Sequence, residues 1–248
     1  MADFIKIHVT GEFACFTRPE MKVERVSYDL LTPSAARGVL EAIYWKPQFE
    51  YIIQKIHLLA PIRFTSIRRN EIGKKIPSIS EAQMKSGARI APLSIEKERQ
   101  QRASLILRDV AYGIQATIRI KDHRFEKNGP KLSTHENIGK HLGQFERRAK
   151  RGAHFHQPYM GTREFPAACT WIDQDSPFPE PSAPIPETDL NKELGYMLHD
   201  FHFQDTKDKK GSFIESNRGK RVKAIPHFFP AKLVNGVLTV PPLNQTVA

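Results

Sequence analysis

The stretch from Ser133 to Arg163, STHENIGKHLGQFERRAKRGAHFHQPYMGTR, limits the fold more than any other. Ile138, Leu142, Phe145 and Ala149 fall at i, i+4, i+7 and i+11, one apolar stripe of a helix that has to be buried against another layer. Ser133 or Thr134 suits the N-cap, and Glu136 then stands in the first turn against the positive end of the helix dipole. At about 100° per residue, Lys140, Gln144, Arg147, Arg148 and Arg151 form a second stripe on a flanking face. His141 sits on the border between the two. A histidine partly shielded by the core, yet within reach of a ligand on the basic face, suits proton transfer beside a polyanion.

The rest of the chain supplies what this helix packs on. Phe4 to Phe16 alternates and reads as a strand, and Arg18 to Tyr28 as a loop or short hairpin. In TPSAARGVLEAIYWKP, Thr32 caps a helix, Pro33 takes its first position and Pro47 stops it after Lys46. Ala36, Val39, Leu40 and Ile43 make the buried stripe of that helix, with Tyr44 beside it, about one side chain from Arg37. Tyr51 to Ser66 reads as a strand, followed by a charged segment from Ile67 to Lys75. Residues 76–102 lose all periodicity and read as a long loop. Leu105 to Ile120 reads as a hairpin or two linked strands, and Thr162 to Ile172 as a further strand.

Strand, helix, strand, strand, helix, strand is the element order of a ferredoxin-like (RRM-like) βαββαβ sandwich, so the expectation is an α+β fold over residues 1–172. Pro177 to Pro186 holds five prolines in ten residues and reads as a solvated, extended linker. Beyond it, residues 173–248 form a small C-terminal antiparallel β extension, in which Asn235-Gly236 is a two-residue hairpin signal. Lys207 to Lys223 carries seven basic residues against Asp208 and Glu215, a second candidate surface for a phosphate backbone.

Charge narrows the partners. The chain has 38 Lys+Arg against 27 Asp+Glu, a net charge of +11, and favours a polyanion, nucleic acid before membrane surface. Cys15 and Cys169 stand in unrelated contexts and build neither a disulfide framework nor a zinc signature. No long apolar run resembles a signal peptide or a membrane span, which points to a reducing cytoplasm and to no membrane partner. His154 and His156 have no carboxylate placed to complete a metal site and read as loop histidines. No metal and no cofactor are expected.

Three stretches together resemble the CRISPR-associated Cas five family of subtype I-C, the d (or Dvulg) branch: VSYDLLTPSAARGVLEAIYWKP at residues 26–47, ENIGKH at 136–141 and YMGTRE at 159–164. The chain departs from the family pattern after the second helix, where it reads Arg151, Gly152, Ala153, His154, and in the strand before it, at Ala116, Thr117, Ile118. The resemblance implies a metal-independent endoribonuclease that cuts CRISPR repeat RNA hairpins (pre-crRNA) into guide units. It also implies partnership with the crRNA product and with other type I-C effector subunits. Family members use a tyrosine in the I-Y-W-K-P segment and a lysine and histidine in the G-K-H segment, positions held here by Tyr44, Lys140 and His141. The surrounding cations Arg37, Lys46, Arg147, Arg148, Arg151 and Arg163 are the candidate RNA contacts.

Those residue types suit the chemistry. Cleavage without a metal needs the 2′-hydroxyl deprotonated, the phosphorane charge stabilised and the 5′-oxygen protonated. An imidazole moves a proton near neutral pH, a lysine ammonium stabilises the phosphoryl oxygens, and a tyrosine acts as base or positions the 2′-hydroxyl. The expected arrangement has Tyr44 facing Lys140 and His141 across a groove wide enough for an RNA strand. A non-catalytic subunit that caps the RNA end is the alternative, and it has no need of that trio. Non-specific duplex DNA binding is supported by charge alone.

Overall fold

Residues 4–21, 23–74, 79–87, 93–120, 137–209, 211–214 and 220–247 are described by the computed structural model. Alternation in FIKIHVTGEFA makes β1 (Phe4–Ala14), which sends Ile5, Ile7 and Val9 into the core. The strands that follow are β2 (Arg25–Val26), β3 (Phe49–Leu58), β4 (Phe64–Ile72), β5 (Arg99–Ile120) and β6 (Ala168–Trp171). Beyond them come β7 (Lys192–Asp205), β8 (Ser212–Ile214), β9 (Arg221–Val234) and β10 (Val237–Thr239). The helices are α1 (Pro33–Ile43), α2 (Glu81–Lys85), α3 (Ile95–Glu98), α4 (Ile138–Lys150) and α5 (Glu187–Leu190).

All these strands join one sheet in the order β6-β1-β5-β3-β10-β9-β7, with β2 and β4 paired to β5 and β8 to β9. Every pairing is antiparallel except β2 with β5. The fold is α+β, a large antiparallel sheet with few helices. α1 and α4 pack on each other and on the sheet. The core they cover includes Ile5, Ile7, Val9, Leu40, Ile43, Phe49, Ile56, Ile114, Ala116 and Phe145.

Several expected boundaries shift, each for a physical reason. Tyr51 to Ser66 is two strands rather than one, parted by a turn at residues 59–63. The charged segment from Ile67 onward belongs to β4, and residues 99–102 belong to β5 rather than to a loop. These two strands form an antiparallel arm whose polar side chains pair across it, Arg102 with Glu71 at 3.1 Å, and along β4, Arg69 with Glu71 at 3.6 Å. With little core to face, the arm lacks the apolar alternation by which strands are recognised. Within the 76–102 stretch, α2 and α3 are short helices, while residues 76–78 and 88–92 lie outside the described residues.

β5 is a single strand of 22 residues rather than a hairpin, bent at Asp109, whose φ is 54°. Gly113 does not turn it. A Cβ there would stand 2.8 Å from Phe178, so the glycine lets the proline-rich segment lie on the sheet. Lys6 ties that segment down through the carbonyls of Gln174 (3.3 Å) and Ser176, with its ammonium 4.9 Å from the Phe178 ring. The segment is therefore anchored to the sheet at Phe178 rather than solvated throughout.

Of the strand expected at 162–172, only β6 forms; residues before it turn back in a Tyr159–Pro166 bridge. Asn235 (φ 49°) and Gly236 (φ 74°) make the left-handed turn between β9 and β10 that the Asn-Gly pair requires. β10 then pairs with β3, so the C-terminal strands extend the sheet outward from it. Among the described residues, no helix is long and apolar enough to cross a membrane.

Candidate active site

Thr32 caps α1 by accepting from the Ala35 amide at 3.3 Å, and Pro33 opens the helix, as the sequence requires. The helix ends at Ile43 rather than at Lys46. Tyr44 already has extended backbone (φ −154°, ψ 126°), three residues before Pro47. Three of the last carbonyls at this end have partners. Leu40 O accepts from Tyr44 N (3.1 Å), Ala42 O from Phe155 N (2.7 Å) and Ile43 O from Arg148 Nε (2.7 Å). The Tyr44 carbonyl itself accepts from the Tyr51 hydroxyl at 2.5 Å. α1 is thereby bolted to α4 and to the loop after it, and the extended Tyr44 swings its ring toward the start of α4.

That start lies later than the hydroxyl residues suggest. Asn137 is the N-cap, its side chain accepting from the Gly139 amide at 2.8 Å, and the helix begins at Ile138. Ser133, Thr134 and Glu136 lie outside the described residues. Lys140 and His141 therefore both stand in the first turn, where neighbouring side chains diverging by about 100° can still border one ligand. Lys140 is exposed. His141 is only 2% exposed, more deeply set than a border position implies. The fully buried Phe49 lies under its ring at 4.7 Å between centroids, and the Tyr44 hydroxyl meets its Nδ1 at 3.0 Å.

Tyr44 and His141 thus touch and leave no groove between them. They form the end of a run of rings: Tyr44 stacks on Phe49 (5.6 Å, 29°), Phe49 meets Tyr51 edge-on (5.1 Å), and Tyr51 leads through Phe145 to Trp171. Burial, then the proximity of Tyr44 and Glu41, holds the Tyr51 phenol well above its usual range. Tyr51 accordingly stays protonated and keeps its hydrogen bond to the Tyr44 carbonyl.

The candidate RNA-contacting cations divide into two groups. Arg37 forms a fork on Asp200, Nε to Oδ2 at 2.6 Å and Nη2 to Oδ1 at 2.9 Å, and reaches Glu41 at 2.6 Å. Burial opposes its charge, but the two carboxylates outweigh it and hold the guanidinium above its usual value. It joins α1 to β7. Arg148, partly buried, caps α1 as described. Lys46, Arg147, Arg151 and Arg163 are exposed, Arg147 beside Gln144 at 2.5 Å. Asn137, Phe49, Tyr51 and Asp200 support the site and escape a reading of the sequence. Only Asn137, an N-cap residue type just before the apolar stripe, carried a local signal.

Among the described residues, no group of three or more His, Cys, Asp or Glu side chains is arranged to hold a metal ion. His154 and His156 are both exposed in the loop after α4.

Residues 4–241 match the family model Cas5d, described as CRISPR-associated protein (Cas5). The chain is 46% identical over 244 residues to a Mannheimia succiniciproducens protein named CRISPR pre-crRNA endoribonuclease Cas5d, covering 98% of this chain and 96% of that one. A Thermus thermophilus protein of the same name is 41% identical over 239 residues, covering 96% and 91%. Two solved structures share the fold at a TM-score of 0.62: a CRISPR-associated protein at 20% identity and a functionally uncharacterized protein from Streptococcus mutans at 19%. Each match covers 99% of this chain and 95% of the other.

Proposed function

Since the chain belongs to the Cas5d family of CRISPR-associated proteins, we propose that it is a cytoplasmic, metal-independent endoribonuclease that cleaves CRISPR repeat RNA into guide units. It then stays with the crRNA as a subunit of a type I-C effector complex. Residues 1–172 form the RNA-binding and catalytic part, a ferredoxin-like βαββαβ unit supported by the strand order β6-β1-β5-β3. Residues 173–248 are its β extension. Non-specific duplex DNA binding rests on the net charge of +11.

The Tyr44–His141 hydrogen bond of 3.0 Å supports this reading most directly, because it joins two proton-transfer groups from distant parts of the chain. Tyr44, half-buried, is the member nearer solvent, and His141 stands behind it. The 2′-hydroxyl of the RNA gives its proton to the Tyr44 oxygen as the Tyr44 proton passes to His141 Nδ1. The 2′-oxygen attacks the adjacent phosphorus, and the ammonium of Lys140 stabilises the charge on the pentavalent phosphorane. The bond to the 5′-oxygen breaks and that oxygen takes a proton from solvent. The products are a 2′,3′-cyclic phosphate and a 5′-hydroxyl.

Incubation of the purified chain with an end-labelled repeat hairpin in excess EDTA tests this. The expected result is one cut within the repeat and a product bearing a cyclic phosphate. Complete loss of cutting in EDTA, restored by a divalent cation, contradicts the mechanism.

A further inference from the structure

Phe155 is the most exposed of the large hydrophobic residues described, at 87%. It does not sit on a slack loop. Its own amide is fixed to Ala42 O at 2.7 Å, and the Ala153 amide to Arg148 O at 2.9 Å. Gly152 supplies the left-handed turn (φ 64°) that brings the chain back off α4. The hydrogen bond to Ala42 fixes the Phe155 backbone against the last turn of α1, beside a residue two positions before Tyr44. The ring of His156 follows at 6.2 Å and 72°, then stacks on Tyr159 at 6.2 Å and 28°. Trp45, the residue after Tyr44, is 48% exposed on the same end of α1.

A phenyl ring held in water on a fixed backbone is apolar area that a ligand can still bury, with little ordering left to offset the gain. The segments that these hydrogen bonds join are cationic. Lys46 follows Trp45, Arg147 lies on the last turn of α4 and Arg151 caps its end, and all three are exposed, as is His154. A flat apolar ring on cationic segments, next to a candidate cleavage site, fits an unpaired nucleotide, whose base offers a π-face and whose phosphates offer negative charge. A protein surface would meet the ring equally well but would have to neutralise those cations.

We propose that Phe155 is a base-stacking platform, which takes an unpaired base of the repeat RNA close to the scissile phosphate and so positions that phosphate against Tyr44. This rests on the reading of the chain as a repeat endoribonuclease. The phenyl ring makes no covalent step and acts through placement alone.

The test uses repeat RNAs carrying a 2-aminopurine at single unpaired positions around the cut, bound to the full chain. Wild type should quench one such position. Phe155→Ala should abolish that quench and weaken binding about five- to a hundredfold, the range for loss of one base–aromatic stack. Phe155→Trp should keep both, while Phe155→Leu, apolar but not flat, should behave like the alanine variant. His141→Ala should lose cutting yet keep the quench, which separates stacking from catalysis. Unchanged quenching and affinity in Phe155→Ala, with wild-type cutting intact, overturns the platform and leaves the endoribonuclease reading standing. Quenching in a wild type that never cuts keeps the platform and removes the endoribonuclease. At 87% exposure the substitution leaves the core untouched, and an unaltered thermal midpoint confirms that folding is preserved.

Discussion

The Tyr44 hydroxyl lies 3.0 Å from His141 Nδ1, although 97 residues of chain separate them. Each ring also rests on Phe49, so neither can turn away without breaking a stack. In the proposed mechanism this contact joins the two side chains into a single proton-transfer unit.

Removing either half should therefore cost a similar factor. Tyr44→Phe and His141→Ala are each expected to lower the single-turnover cutting rate by about 10²–10⁴-fold while repeat binding changes only a few-fold. The double variant should be little worse than the single ones, since the two act as one unit. Rates that multiply independently would show that the hydrogen bond is not used.

In the proposed mechanism Lys140 acts on charge that develops only in the transition state. Lys140→Ala should lower the rate with bound RNA by about 10²–10³-fold with little change in Kd. A loss confined to Kd would make Lys140 a docking cation.

Five of the candidate cations are exposed: Lys46, Lys140, Arg147, Arg151 and Arg163. If all five neutralise phosphates of a single strand, log K falls with log salt at about −0.7 per contact, or about a hundredfold over a fourfold rise in salt. Arg37, held by Asp200 and Glu41, is not counted, so Arg37→Ala should leave this slope unchanged.

Arg37 should matter for stability instead. Its side chain is 28% exposed and that of Asp200 21%, and the fork between them joins α1 to β7. Arg37→Ala is expected to cost about 1–2 kcal/mol in urea unfolding, between an exposed ion pair and a buried one. A double-mutant cycle with Asp200→Ala should recover most of that as coupling.

On the opposite face of the sheet, burial lowers the pKa of His8 and His57, and for His57 the nearby Lys55 and Lys6 add to it while Gln115 partly opposes. The folded state thus resists protons that the unfolded chain accepts. Their contribution is present above the ordinary value of 6.5 and is lost as pH falls below it. The urea midpoint should begin to drop as pH falls below about 6.5, before ordinary carboxylates titrate, and drop less in His57→Gln. A flat profile across that window would show that neither imidazole is desolvated.

Local sequence fixes local structure where one residue type answers one backbone need. Thr32-Pro33 opens α1, Asn235-Gly236 turns β9 into β10, and Ala36, Val39, Leu40 and Ile43 are buried as their spacing demands. The β4–β5 arm escaped because its stabilising pairs are charged and cross-strand, as Arg102 with Glu71, so no period marks it. Several residue types before the stripe are competent caps, so the sequence leaves the start of α4 open between them, and the cap observed is Asn137. The purpose of Gly113 became visible only with Phe178 against it, 65 residues further on.

By itself the sequence determined which residue types are candidates for the chemistry: a tyrosine at the end of the first apolar helix, and a lysine and histidine beside the apolar stripe of the second. It also determined the excess positive charge around them, since composition and period are properties of the chain. Only the tertiary structure decided that Tyr44 and His141 share a hydrogen bond, and that Arg37 faces Asp200 instead of open solvent. The reason is that contacts between segments 97 and 163 residues apart depend on how helices settle on a sheet, and no local pattern records that.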